Sequence, residues 1–92
     1  MNKILFSIYD KKSEKHDGFM VLEEDIQAVR GFSQACEQNQ VFKKWPEDFA
    51  LYKLGEIDTK KGLIKSYEKP IKLVEATYFV KKENGKTPTD NK

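Results

Sequence analysis

At 92 residues, with 38% apolar and 35% charged side chains, the chain is long enough for one modest core and too short for two domains. No apolar run approaches the ~20 residues that cross a membrane, and Ile4 to Tyr9 is too short, and too quickly followed by Asp10-Lys11-Lys12, for a secretory leader. One cysteine rules out an intramolecular disulfide and a cysteine-cluster metal site, and a net charge of +2 falls well short of the basic excess of a dedicated duplex-binding domain.

Residues 3 to 9 alternate, with Ile4, Phe6 and Ile8 on one face and Leu5, Ser7 and Tyr9 on the other, which predicts a strand with one buried face. Asp10 to Gly18 is polar and ends in glycine, so it reads as a loop. Phe19 to Leu22 reads as an extended lead with a short strand close to the next element. From Glu23 to about Gln38, Ile26, Val29, Phe32 and Cys36 recur at helical spacing. The acidic trio Glu23-Glu24-Asp25 suits the positive end of that helix. Gly31 lies inside it, at a propensity cost of roughly 1 kcal/mol against alanine, and is expected to permit close approach to a sheet. Asn39 stops the helix, and Gln40 to Glu47 form a connection. Pro46 fixes its own backbone and disfavours helix at Trp45, so the next element begins afresh.

Two strands follow, Asp48 to Ile57 and Leu63 to Tyr67, joined by Asp58-Thr59-Lys60-Lys61-Gly62 as a hairpin loop. Lys69-Pro70 is expected to close the second strand, Ile71 to Glu75 is ambiguous, and Thr77-Tyr78-Phe79-Val80 reads as a final strand. Lys81 to Lys92 holds Gly85, Pro88 and no large apolar residue, the composition of a disordered tail. The expected architecture is α+β: residues 1–80 as one domain, a small antiparallel sheet with one long helix packed on one face, and residues 81–92 as a polar tail. The face without a helix must be polar, paired with a second copy, or used for binding.

Three segments carry a family likeness. Trp45-Pro46-Glu47-Asp48-Phe49-Ala50-Leu51-Tyr52-Lys53-Leu54-Gly55-Glu56-Ile57-Asp58 is the longest, preceded by Ile4-Leu5-Phe6-Ser7-Ile8-Tyr9-Asp10 and Ala28-Val29-Arg30-Gly31-Phe32. In order and spacing, from about Lys3 to Val80, they resemble the small nonstructural protein of gokushovirus-type microviruses, phages with small circular single-stranded DNA genomes. The resemblance implies a DNA-binding protein of genome replication, in the cytoplasm of the infected bacterium. The matching residues Tyr9, Asp10, Arg30, Phe32, Pro46 to Phe49 and Leu54 to Glu56 read mostly as fold determinants.

Chemistry is sparse. His16 is the only histidine and is expected to be an ordinary solvated residue, lacking the oriented neighbour that a catalytic base needs. Cys36 lies on the apolar helix face as a small hydrophobe. A rolling-circle nickase needs a histidine cluster beside its tyrosine, and a phosphate loop needs a Gly-x-x-x-x-Gly-Lys pattern; the chain has neither. The expectation is a non-enzymatic protein without cofactor or metal.

Binding chemistry is better represented. Lys43 and Lys44 precede Trp45, pairing backbone neutralisation with ring stacking. Lys53, with Lys60, Lys61 and Lys65 around the hairpin, forms a second basic cluster. Arg30 is the one arginine among 17 basic residues, which argues against bidentate reading of guanines and hence against sequence-specific recognition. The candidate nucleic-acid set is therefore Arg30, Lys43, Lys44, Trp45, Lys53, Lys60, Lys61 and Lys65, with single-stranded DNA as partner. Tyr52 and Tyr67, expected on the helix-free face, would stack bases or join Leu54 in a homodimer seam. The alternative is a dimeric adaptor that engages a viral or host replication protein.

Overall fold

Residues 2–80 are described by the structure, a computed structural model. Four antiparallel strands form one sheet in the order β2-β1-β3-β4, with β1 at Asn2–Asp10, β2 at Lys15–Leu22, β3 at Phe49–Asp58 and β4 at Leu63–Glu75. Between β2 and β3 lie the helices α1, Asp25–Gln38, and α2, Gln40–Lys44. The fold is α+β. The single long helix expected from the sequence is a 14-residue helix followed, across Asn39, by one of five residues.

The loop expected at Asp10 to Gly18 is largely strand. A tight turn suffices because Asp10 Oδ1 accepts from the backbone N–H of Lys12 at 2.9 Å and of Ser13 at 3.4 Å, while Glu14 takes a positive φ of 58°. Lys15, His16 and Asp17 then pair with Asp10, Tyr9 and Ile8. Their polarity, which signals a loop in sequence, is tolerated because β2 is an edge strand. Gly18, also at φ 58°, sits where the β1–β2 register shifts, and a Cβ there would lie 3.1 Å from Ile8 Cδ1.

Helix α1 starts at Asp25, two residues after the sequence expectation. Gln27 Oε1 reaches back to accept from the N–H groups of Glu23 and Glu24, at 2.9 and 3.0 Å, as half of a capping box. The buried row is Ala28, Phe32 and Cys36, spaced four and four; Ile26, assigned to that face by periodicity, is 51% exposed. Small Ala28 lets the helix settle on the sheet. Gly31 is not needed for that approach, since a Cβ there would meet only Met20 Sδ at 3.7 Å, an ordinary contact. Gly31→Ala is accordingly expected to raise stability by about 0.5–1 kcal/mol, read as a higher urea midpoint at unchanged slope.

Asn39 ends one helix and starts the next: its N–H reaches the Ala35 carbonyl, and its Oδ1 accepts from Val41 and Phe42 N–H at 2.8 and 3.3 Å. The expected connection from Gln40 is thus partly helical. Trp45 ends α2, and Pro46 opens a 3₁₀ turn, Pro46–Asp48, that leads into β3.

Strand β4 runs through Pro70 instead of stopping there. It is the other edge strand, and the β3–β4 register breaks between Lys53 and Gly55, so no ladder bond is demanded of the missing N–H. Thr77 to Val80 is not a strand: Ala76–Tyr78 is a 3₁₀ turn whose Ala76 carbonyl accepts from the N–H groups of Phe79 and Val80. It directs Phe79 onto Phe32, with ring centroids 6.2 Å apart. Phe79 and Val80 pack against the core, while Thr77 and Tyr78 stay exposed. The tail at Lys81 to Lys92, expected to be disordered, lies outside the described residues.

One core results. Phe6 of β1 and Phe49 and Leu51 of β3 meet Ala28, Phe32 and Cys36 of α1, and Ala76 closes one end.

Candidate nucleic-acid interface on the helix-free sheet face

Register assigns each residue to a face. Lys53 is opposite Phe6 and donates to Asp25 of α1, so it lies on the helix side; Tyr52 is opposite Ser7 and lies on the other. Tyr9 shares the helix-free face with Ser7, and His16 is its partner on β2. Three rings converge there: Tyr9 and His16 at 4.6 Å between centroids and tilted by 44°, His16 and Tyr52 at 5.5 Å, and Tyr9 and Tyr52 at 5.8 Å, the last two edge-on. With Lys69 and Pro70 they frame a shallow recess of about 400 Å³.

The histidine is not the solvated loop residue expected. His16 is half-buried, and its Nδ1 is 2.7 Å from Oγ of Ser7, which is fully buried. This hydrogen bond satisfies a polar group at the base of the recess and fixes the imidazole plane. The reading of residues 10–18 as a loop hid the pairing. Strand alternation alone places Ser7 and Tyr9 on one face.

One lysine of β4, Lys69, lines the recess, and two more, Lys72 and Lys11, are held nearby by Glu75. Lys72 is opposite Tyr52 and donates to Glu75 Oε2 at 2.7 Å, while Lys11 donates to Glu75 Oε1 at 3.0 Å. The hydrogen bond from Lys72, and then that from Lys11, hold the Glu75 carboxyl below its ordinary value of 4.5. Because the folded value is the lower one, the stabilisation is present above the unfolded value and is lost as pH falls through the folded value. The stability advantage of the native protein over Glu75→Gln is therefore expected at neutral pH and to vanish below the carboxylate range, as urea midpoints across that range would show. The three side chains are all 33% exposed or more, so the effect is small and shrinks with salt.

The residues singled out in the sequence do not form one patch. Lys53 is 3.2 Å from Asp25 Oδ1, and its Nζ lies 5.9 Å from the Tyr67 ring centroid, a structural cation on the helix side. Tyr67 is on that side too, donating to Glu56 Oε2 at 3.4 Å, so it shares no seam with Tyr52. Leu54 sits half-buried at the register break of β3. Lys60 and Lys61 lie in the β3–β4 turn, where their N–H groups donate to Asp58 Oδ1, and Lys65 is opposite Glu56. Arg30 is exposed on α1. Lys43 and Lys44 end α2, with Lys44 Nζ 4.9 Å from the Trp45 ring centroid. Trp45 is 43% exposed and lines a separate recess with Val41, Phe49 and Asp48.

Cys36 is fully buried, and burial, followed by the charge of Glu37, pushes its thiol up to about 11. It stays protonated at neutral pH. Among the described residues, no three His, Cys, Asp or Glu side chains are grouped to hold a metal ion, and no helix is long and apolar enough to cross a membrane.

The structure defines a two-layer α+β domain with helices on one side of an antiparallel sheet and an open, aromatic face on the other. Residues 3–79 match the family described as phage ORF5 protein, and the chain belongs to that family. The match runs from the first strand through the 3₁₀ turn after β4. Neither a curated protein nor a solved structure matches the chain.

Proposed function

We propose that this phage protein is a nonstructural protein of the gokushovirus type. On this reading it binds single-stranded DNA with little sequence preference, in the cytoplasm of the infected bacterium, during genome replication or hand-over to packaging. It acts by binding, without catalysis, cofactor or metal. The observation that carries the reading is the convergence of Tyr9, His16 and Tyr52 on a helix-free sheet face, with Lys69 in the same recess and Lys72 opposite Tyr52. Single strands are held by ring stacking combined with neutralisation of the backbone. The near absence of arginine supports low sequence preference.

Retention on immobilised single-stranded DNA tests the reading. The protein is expected to bind at low salt and to elute as salt rises; with about three phosphate contacts, affinity falls roughly tenfold to thirtyfold between 50 and 200 mM. Flow-through at low salt would refute it.

A second reading, a homodimeric adaptor that engages a viral or host replication protein, draws on the same face. Phe19 and Val21 of β2 and Ile64 of β4 are 57%, 45% and 67% exposed. Val21 is opposite Leu5, and Ile64 is opposite Ile57, which places them on the helix-free side. Apolar exposure of this kind fits a protein contact. Binding that ignores salt and a dimeric mass in solution would favour it.

A further inference from the structure

We infer that the recess framed by Tyr9, His16, Tyr52, Lys69 and Pro70 is a pocket for one unpaired nucleobase, with the adjoining phosphate on Lys69. The inference rests on the single-strand reading and gives it a specific site. Tyr52 meets both of its ring neighbours edge-on, at 75° and 82°. An edge-on pair covers a face of only one of its two rings, whereas mutual stacking would cover a face of both. A flat heteroaromatic base can occupy a face left uncovered, and Pro70 supplies an apolar wall without an N–H to satisfy. The floor is set in advance: Ser7, fully buried, holds His16 through Nδ1, so the ring that meets the ligand is already oriented. Preorganisation of this kind lowers the cost of binding.

Charge separates the cations at the recess. Lys72 and Lys11 are both engaged by Glu75. Lys69 is exposed and has no ion-pair partner among the described residues. It sits in the part of β4 where the register with β3 breaks, between Ser66 and Ile71, beside Pro70. It is the available cation at the mouth, placed for a backbone phosphate next to the stacked base.

Anisotropy of labelled oligo(dT) with the full chain, its Tyr52→Ala, Tyr52→Phe and Lys69→Gln variants, and a Lys69→Gln, Pro70→Ala double variant tests the pocket. Tyr52→Ala is expected to weaken binding about tenfold or more, with the salt dependence unchanged because no phosphate contact is lost. Tyr52→Phe keeps the ring and the affinity. Lys69→Gln reduces the salt dependence by about one contact. Should Tyr52→Ala fail to fold by circular dichroism, the exposed Lys69 and Pro70 positions decide: the double variant is expected to bind about tenfold less tightly than the native chain. Native chain and folded variants binding the strand alike would overturn the pocket while leaving the single-strand reading standing. No binding by the native chain at low salt would overturn both.

Discussion

Phe32→Ala is expected to cost about 3–5 kcal/mol, a large part of the stability of a domain this size. The ring is fully buried in the middle of α1 and meets Phe42 at 6.1 Å and Phe79 at 6.2 Å between centroids. Removing it opens a cavity bounded by both helices and by the turn after β4, so no single neighbour can collapse into the space. The loss of contacts adds to the lost transfer energy of the ring. Urea unfolding followed by far-UV circular dichroism is expected to show a large fall in midpoint, or a chain already unfolded without urea. An unfolding free energy within about 1 kcal/mol of the native chain's would show that the helical layer is not held through this residue.

Gly55→Ala is the second large effect, by a different cause. A Cβ at Gly55 would lie 2.5 Å from the Lys65 carbonyl oxygen and 2.8 Å from Ser66 Cα. Both are backbone atoms of the paired strand, so no side-chain rotation relieves the clash. The β3–β4 pairing must shift or open, at an expected cost of about 1–3 kcal/mol or more. Gly31→Ala is the control, since its Cβ has room and its helical site favours alanine. Opposite signs at the two glycines, measured by the same urea titration, would confirm that close strand approach, and not chain flexibility, places Gly55. A neutral Gly55→Ala would mean that β4 does not lie against β3 at Ser66.

Much of this arrangement is legible in the residues. The alternation of Ile4, Phe6 and Ile8, the helical recurrence of Phe32 and Cys36, the break at Pro46 and the turn at Asp58 to Gly62 each reflect local chemistry, and each corresponds to an observed feature. The misreadings share a cause: tertiary position overrode local preference. Lys15 to Asp17 are too polar for a buried strand, yet they pair because β2 is an edge. Pro70 ends strands in general but not at a register break on an outer strand. Thr77 to Val80 favour strand by composition but form a 3₁₀ turn that turns Phe79 and Val80 onto the core, because β4 has already ended at Glu75.

The candidate site divides in the same way. Alternation along one strand puts Tyr52 on the helix-free face, and it lies there beside Tyr9. Tyr67 required the register between two strands, which the break after Lys53 alters. His16 required recognition that Asp10 organises a four-residue turn. Lys53, Lys60, Lys61 and Lys65 read as one charge cluster, but Lys53 belongs to Asp25 on the helix side and the other three to the hairpin, whereas Lys69, not singled out in the sequence, stands at the recess.

On the proposed function, the open sheet face binds single-stranded DNA. The most direct test is fluorescence anisotropy of one labelled oligonucleotide, single-stranded and annealed to its complement, titrated with the native chain at two salt concentrations. The account predicts saturable binding of the single strand, weaker binding of the duplex, and a steep loss of affinity at the higher salt. Equal affinity for both forms, or no change in anisotropy at low salt, would contradict it and leave the exposed Phe19, Val21 and Ile64 as the argument for a protein partner.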